Sequence, residues 1–172
     1  MPEVHYRLLL ADANILIDLI HTEQLAVLSL LRNALGIKVY VADCAVQELS
    51  QERLAAPLES FGVTVVRTED DFALLEQVER FKETARSLSE QDVTQLLLAQ
   101  RERWTLWTND QRLAREAKRQ KVETCRLFGP LLHAVDCGAL PKADMREMIE
   151  AIREDNPWLS DEHFKEIQEK LR

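Results

Sequence analysis

The sequence predicts an α/β fold: a central parallel sheet flanked by helices, followed by a purely helical C-terminal extension. Three observations predict it. Short strand-like runs alternate with helical patterns through the first two thirds of the chain. The segments between those runs are long, as parallel strands require of their crossovers. Gly and Pro are few, 4 and 5 in 172 residues, while aliphatic side chains are plentiful, which describes a compact helix-rich protein. A chain of this length suits one domain with a sizeable core.

Each element has its own signal. Tyr6 to Ala11 reads as a buried strand, and LLLADANILIDLI carries it into a helix. Leu25, Leu28, Leu31 and Leu35 mark one face of a helix that Gly36 ends. IKVYVA, residues 37–42, is a second strand, and Asp43 is placed to cap a helix carrying Val46 and Leu49. GVTVVR, residues 62–67, is a third strand. Thr68 and Asp71 then form a capping-box pattern before a helix with Phe72, Leu75, Val78 and Phe81 on one side. Ser89 and Asp92 repeat that pattern before a helix through Leu96, Leu97 and Ala99. WTLW, residues 104–107, is a short strand, and Thr108 to Asp110 open the helix through Leu113 and Ala117. Val122 to Thr124 is a short fifth strand. From about Phe128 onward the pattern is helical, with segments near Met145 to Ile152 and His163 to Leu171 divided by Asn156-Pro157. The division expected is residues 1–137 as the α/β domain and 138–172 as a helical extension packed on that domain or on a partner, anchored by Trp158 and Leu159.

Composition narrows the class. No apolar run is long enough to cross a bilayer, and MPEVHYR lacks the pattern of a signal peptide, so a cytoplasmic protein is expected. Cys44, Cys125 and Cys137 are odd in number and widely spaced, which suits buried, reduced thiols better than a disulfide framework or a zinc site. His5, His21, His133 and His163 show no ligand-like spacing. A net charge of −8 argues against broad, nonspecific nucleic-acid binding. The charge is uneven, however: between Arg101 and Lys121 stand 7 Lys or Arg against 3 acids.

Four acids stand out. Asp12 interrupts an otherwise apolar stretch whose only nearby cation is Arg7, and an unpartnered buried carboxylate costs several kcal/mol. Glu48 lies on the helix after the second strand, Asp92 in the first turn of its helix, and Asp110 directly after WTLW. In a parallel α/β sheet the carboxyl ends of the strands share one edge, where ligands bind, and this topology permits all four to meet there. Close carboxylates repel, so convergence calls for a cation, and oxygen-only ligation points to Mg²⁺ or Mn²⁺. Such ions suit metal-assisted phosphodiester hydrolysis. Each acid also has a structural role on offer: Asp92 in a capping box with Ser89, Asp110 beside a capping Asn109, Glu48 on a solvated helix face. Asn14 caps its helix or turns toward the metal, and Asp18 is expected at the exposed rim.

DANILIDL, VQEL, SEQD and TNDQRL, in that order, resemble the motif set of PIN-domain proteins. The likeness covers roughly residues 6–135 and is nearest to stand-alone prokaryotic members, including the toxins of VapBC-type toxin–antitoxin pairs. The resemblance implies a three-layer α/β/α sandwich and a Mg²⁺- or Mn²⁺-dependent nuclease acting on single-stranded RNA. It places the family's acids on Asp12, Glu48, Asp92 and Asp110, with Asn14, Ser89, Thr108 and Asn109 as supporting polar positions. It also implies homodimerisation and, for a toxin, an antitoxin that covers the site. Arg112, Arg115, Lys118 and Arg119 are the candidate phosphate contacts. The alternative is a nucleic-acid-binding or regulatory module without significant turnover. Trp107, beside the TND motif, offers a ring for stacking on bases. A phosphate-accepting receiver domain is a poorer match, because GVTVVR leads to no lone acceptor Asp and no Lys follows residues 122–124.

Overall fold

A computed structural model of the chain describes residues 6–54, 56–157, 159 and 161–172, the side chains of 161–163 excepted. The expectations about His5, Trp158 and His163 lie outside the described residues. Five parallel strands form one sheet: β1 (Leu8–Ala11), β2 (Lys38–Ala42), β3 (Thr64–Val66), β4 (Thr105–Trp107) and β5 (Thr124–Cys125). Their spatial order is β3-β2-β1-β4-β5. Leu10 stands opposite Tyr40 on one side and Leu106 on the other, so β1 is central and its apolar run is buried from both faces.

Alternation along β1 distributes the core. Leu9 and Ala11 face one layer with Val39, Val41 and Trp107, while Leu10 faces the other with Ala42 and Leu106. On the first face pack α1 (Ala13–His21), α2 (Ala26–Leu35), α7 (Phe128–Asp136), α8 (Lys142–Asp155) and α9 (Asp161–Lys170), joined by Ala45 and Leu49 of α3 (Asp43–Gln51). On the second pack α4 (Phe72–Lys82), α5 (Glu90–Glu102) and α6 (Gln111–Arg119). This is the three-layer sandwich expected. No single described helix is long and apolar enough to cross a membrane.

Several local expectations shift. The helix marked by the leucines from Leu25 begins at Ala26 and ends, as expected, at Gly36, whose φ of 66° is the left-handed conformation that glycine adopts without penalty. Thr68 and Asp71 do not form a capping box. Asp71 itself caps α4 by accepting from Leu74 N at 3.0 Å. Thr68 instead turns back to Asp43, giving it both its backbone N–H, at 2.8 Å, and its hydroxyl. Asp43 is the first residue of α3 rather than its cap, and it also accepts from Cys44 N at 2.9 Å and Glu69 N at 3.2 Å. Burial works against its charge, but those hydrogen bonds, Thr68's foremost, hold its carboxyl below the ordinary range.

The C-terminal helices share the main core. Met145, Met148, Ile149 and Ile152 of α8, with Leu159 and with Phe164 and Ile167 of α9, belong to the same buried cluster as Leu9 and Leu16. Phe164 meets Phe128 of α7 at 5.8 Å between ring centroids, and Arg146 Nη2 donates to Leu171 O at 2.7 Å. Phe164→Ala should therefore lower the free energy of unfolding by about 3–5 kcal/mol. Urea denaturation should show a lower midpoint of the single transition, whereas a dispensable tail would leave that midpoint in place.

Candidate active site

Chain order fixes where the site forms. From β1 the chain adds β2 and β3 on one side, then crosses through α4 and α5 to place β4 on the other. The strand order reverses between β1 and β4, and beyond the carboxyl ends of those strands lies the crevice where open α/β sheets bind ligands. Asp12 is the residue after β1, and Thr108 to Asp110 follow β4. The ladder runs directly into the site, since Asp12 N donates to Trp107 O at 3.0 Å.

Asp12 is 4% exposed, and protein donors occupy both its carboxylate oxygens. Oδ1 accepts from Ala13 N at 2.8 Å and Gln95 Nε2 at 3.1 Å. Oδ2 accepts from Asn14 Nδ2 at 2.5 Å and Thr108 Oγ1 at 2.7 Å. As the N-cap of α1 it also faces the positive end of that helix. Burial nonetheless raises its pKa; the bonds from Thr108 and Gln95 pull the other way, and the Asp92 charge adds to the rise. Arg7, the cation nearest in sequence, is exposed on the surface.

Glu48, on α3, lies within electrostatic reach of Asp12 and Asp92. Burial pushes its carboxyl up to about 7, with further contributions from Asp12 and then Asp92. Three acids from three separate elements thus act on one another electrostatically. Asp92 is tied at its own helix start, forming the expected capping box with Ser89 through bonds of 2.8 Å and 3.0 Å.

Asp110 stands at the margin. It, and not Asn109, is the N-cap of α6, its Oδ1 accepting from Arg112 N at 2.6 Å and Leu113 N at 3.0 Å. Its connection to Asp12 runs through Thr108, whose Oγ1 accepts from Asp110 N at 3.0 Å and donates to Asp12. Asn109 is a crosslink: its backbone N–H donates to Asn14 Oδ1 at 3.3 Å, its side-chain Nδ2 donates to Asp18 at 3.3 Å, and its side-chain Oδ1 accepts from Leu127 N at 3.0 Å.

Other side chains depart from expectation. Asp18 is buried, 4% exposed, rather than at a rim, and accepts from Asn156 Nδ2 at 2.8 Å as well as from Asn109. Trp107 is fully buried, with its indole N–H on Arg126 O at 3.1 Å, so its ring is closed to nucleic-acid bases. Arg112, Arg115, Lys118 and Arg119 are all exposed along α6. Gln95 was not foreseen. It sits three residues after Asp92, is wholly buried, and holds Asp12 with its amide while its Oε1 has no hydrogen-bond partner. The signal was available: a polar residue inside VTQLLLA is as misplaced among apolar neighbours as Asp12 is.

The donor chemistry suits a hard divalent cation. The converging ligands are oxygens, and the orphaned Gln95 Oε1 needs a proton donor that a hydrated cation brings with it. Among the described residues no group of three or more His, Cys, Asp or Glu is placed so that together they could hold a metal ion. Mg²⁺ asks for none, because it keeps several waters and binds through one or two carboxylates.

A parallel α/β sandwich with acids near its switch point is a frame that many functions share, and comparison with known proteins supplies the family. The sequence model of the family DUF3368, described as a PIN domain, matches residues 8–172, and the chain belongs to that PIN-domain family. PIN domains are generally nucleases, and the family supports that class of activity here. Among solved structures the chain is similar to a PilT N-terminus domain protein from the hyperthermophilic archaeon Sulfolobus solfataricus. Identity is 11%, the TM-score is 0.50, and the match covers 78% of this chain and 94% of that one; it speaks to the fold alone. No curated protein matches the sequence.

Two outcomes test the site's electrostatics. A carboxyl whose folded pKa lies near 7 against 4.5 when unfolded binds more protons in the folded state between those values. It therefore supports stability below pH 4.5, and that support is lost as pH rises through 7. In metal-free buffer the urea midpoint should fall over this window, Glu48→Gln should flatten the fall, and Mn²⁺ should oppose it. A slope identical in Glu48→Gln and wild type would remove Glu48 from the acidic pocket. At Asp110, Ser keeps a capping oxygen and Ala does not. Asp110→Ala should cost ~1 kcal/mol of stability and Asp110→Ser much less, read from the same denaturation curves.

Proposed function

We propose that this protein is a Mg²⁺- or Mn²⁺-dependent endoribonuclease cleaving single-stranded RNA at the pocket formed by Asp12, Glu48 and Asp92, with Asp110 at its edge. The observation that carries the reading is the mutual influence of Glu48, Asp12 and Asp92, delivered by α3, the end of β1 and α5 to the carboxyl edge of the sheet. Asp12 and Asp92 would bind the hydrated cation, with Asp110 at its edge and Glu48 orienting the attacking water. When bound, the cation supplies Lewis acidity and neutralises charge building on the scissile phosphate.

The chain's own groups do the remaining work. Thr108 and Gln95 fix the Asp12 carboxylate in one orientation, so it need not reorganise during turnover. Asn14 and Asn109 lock the loop after β4 against α1, which sets the distance between the two sides of the pocket. The Glu48 carboxyl, held near 7, is suited to taking a proton from an attacking water at Oε. By the motif resemblance to stand-alone toxins we also propose an antitoxin as protein partner and a homodimer as the working form. Light scattering of the purified chain and of its mixture with an antitoxin candidate checks both.

A second reading has one observation in its favour. All four acceptor positions of Asp12 are already taken by protein donors, as they would be in a module that binds nucleic acid without turning it over. Incubating the protein with single-stranded RNA and Mn²⁺ separates the two. Asp12→Asn should cut cleavage by ~10²-fold or more, since losing even a group that only supports a metal ligand costs 10–100-fold. EDTA should abolish cleavage. Cleavage indifferent to both would assign the activity elsewhere, and RNA binding without any cleavage would favour the second reading.

A further inference from the structure

A large cleft lies beside the acids rather than over them. It encloses about 730 Å³ between α6 and β5 and begins at Thr108, Asn109 and Asp110. Arg115, Lys118, Lys121 and Arg126 line it, against the acids Asp110 and Glu123. Ala114 and the buried Val122 contribute to a mostly apolar floor. In a chain whose net charge is −8, four cations on one cleft form a local reversal of sign.

Ion pairing sorts the basic residues of this region into two groups. Arg119 Nη1 is 3.2 Å from Glu116 and Arg112 Nη2 is 3.8 Å from Asp110, so both are engaged, and neither lines the cleft. Among the described residues no ion pair involves Arg115, Lys118, Lys121 or Arg126. The side chains left with uncompensated charge are the ones that converge. Arg126 is held in position by the Trp107 indole, which bonds its carbonyl, and Lys121 sits at the turn that returns α6 to β5.

We propose that this cleft carries a single-stranded segment of RNA, phosphates on Arg115, Lys118, Lys121 and Arg126 and a base against the apolar floor, leading the strand to the acids through Thr108–Asp110. The proposal rests on the nuclease reading of the neighbouring pocket and adds the strand's path to it. Cations alone would suit any polyanion. The apolar floor selects a strand whose bases are free to leave the solvent, which a duplex keeps stacked inside. Continuity decides the direction: the Thr108 hydroxyl at the mouth of the cleft is the one that holds Asp12. The path therefore recruits Lys121 and Arg126, which lie beyond the basic helix, and dispenses with Arg112 and Arg119.

Binding measured in EDTA isolates the cleft from catalysis. The full chain is titrated with a fluorescent single-stranded RNA oligonucleotide across a series of KCl concentrations, and anisotropy is read. Lys118→Gln and Lys121→Gly are the informative variants. Lys121 has a φ of 58°, a conformation glycine adopts freely, so its replacement removes a charge and relieves the backbone. Together they should weaken binding and reduce the log–log salt slope by ~0.7 per lost phosphate contact. Arg80→Gln, on α4 and paired with Glu76, should bind as wild type does. An unchanged slope in the double variant, equal affinity for a duplex of the same sequence, or tighter binding of polyglutamate than of RNA would each overturn the proposal. Failure of the nuclease reading looks different: Asp12→Asn would cleave at the wild-type rate while the salt slopes in EDTA stayed as they were.

Discussion

The constraint on which the rest depends is the burial of one carboxylate at the switch point of the sheet. A buried charge is tolerable only when its hydrogen-bonding capacity is met, and Asp12 meets it with donors from three directions. Ala13 and Asn14 belong to α1, Gln95 to α5, and Thr108 to the loop after β4. One side chain thereby joins both helical layers to the two central strands. From Thr108 and Asn14 the network continues to Asn109, from Asn109 to Asp18, and from Asp18 to Asn156 at the end of α8. The C-terminal helices are thus tied to the pocket by polar bonds as well as by the shared core.

Satisfaction of Asp12 is complete in number and incomplete in energy. Its four bonds do not cancel the cost of burial, so its pKa stays raised, and Gln95, which supplies one of them, leaves its own carbonyl buried and alone. Both residual costs have the same sign: each would be relieved by a positive, hydrated species entering the pocket. A site relaxed without its ligand would gain little on binding, whereas this one keeps part of the cost of its assembly in reserve.

Much of this was legible in the sequence, for identifiable reasons. Asp12 could be read because an acid inside an apolar strand-to-helix run has no inexpensive place to go. Ser89 and Asp92 could be read because a capping box is a local pattern that needs no knowledge of the fold. The same rule failed at Thr68 and Asp71, where a tertiary partner, Asp43, captured Thr68 and left Asp71 to cap the helix unaided. Asp18 was misplaced because its partners, Asn109 and Asn156, are distant in sequence, 91 and 138 residues away. Spacing showed a basic helix at 111–119, but which of its cations are neutralised depends on side-chain contacts and on β5 folding beside it.

The sequence also suggested that only a cation makes converging acids tolerable, and the structure refines that argument. Asp12 and Asp110 are N-caps and Asp92 is the third residue of its helix, so each faces the positive end of α1, α6 or α5. A helix terminus stabilises an adjacent anion by ~0.3–1 kcal/mol, and backbone N–H groups bond Asp12, Asp92 and Asp110 directly. Glu48 has neither advantage. It lies well inside α3, and among the described residues no donor meets its carboxylate. Asp12 and Glu48 both bear the cost of burial and of their acidic neighbours, but only Glu48 bears it without a hydrogen-bond donor, and its carboxyl is pushed up to about 7. Helix ends hold three of the acids in place, and the fourth is the one whose charge the fold meets with no donor.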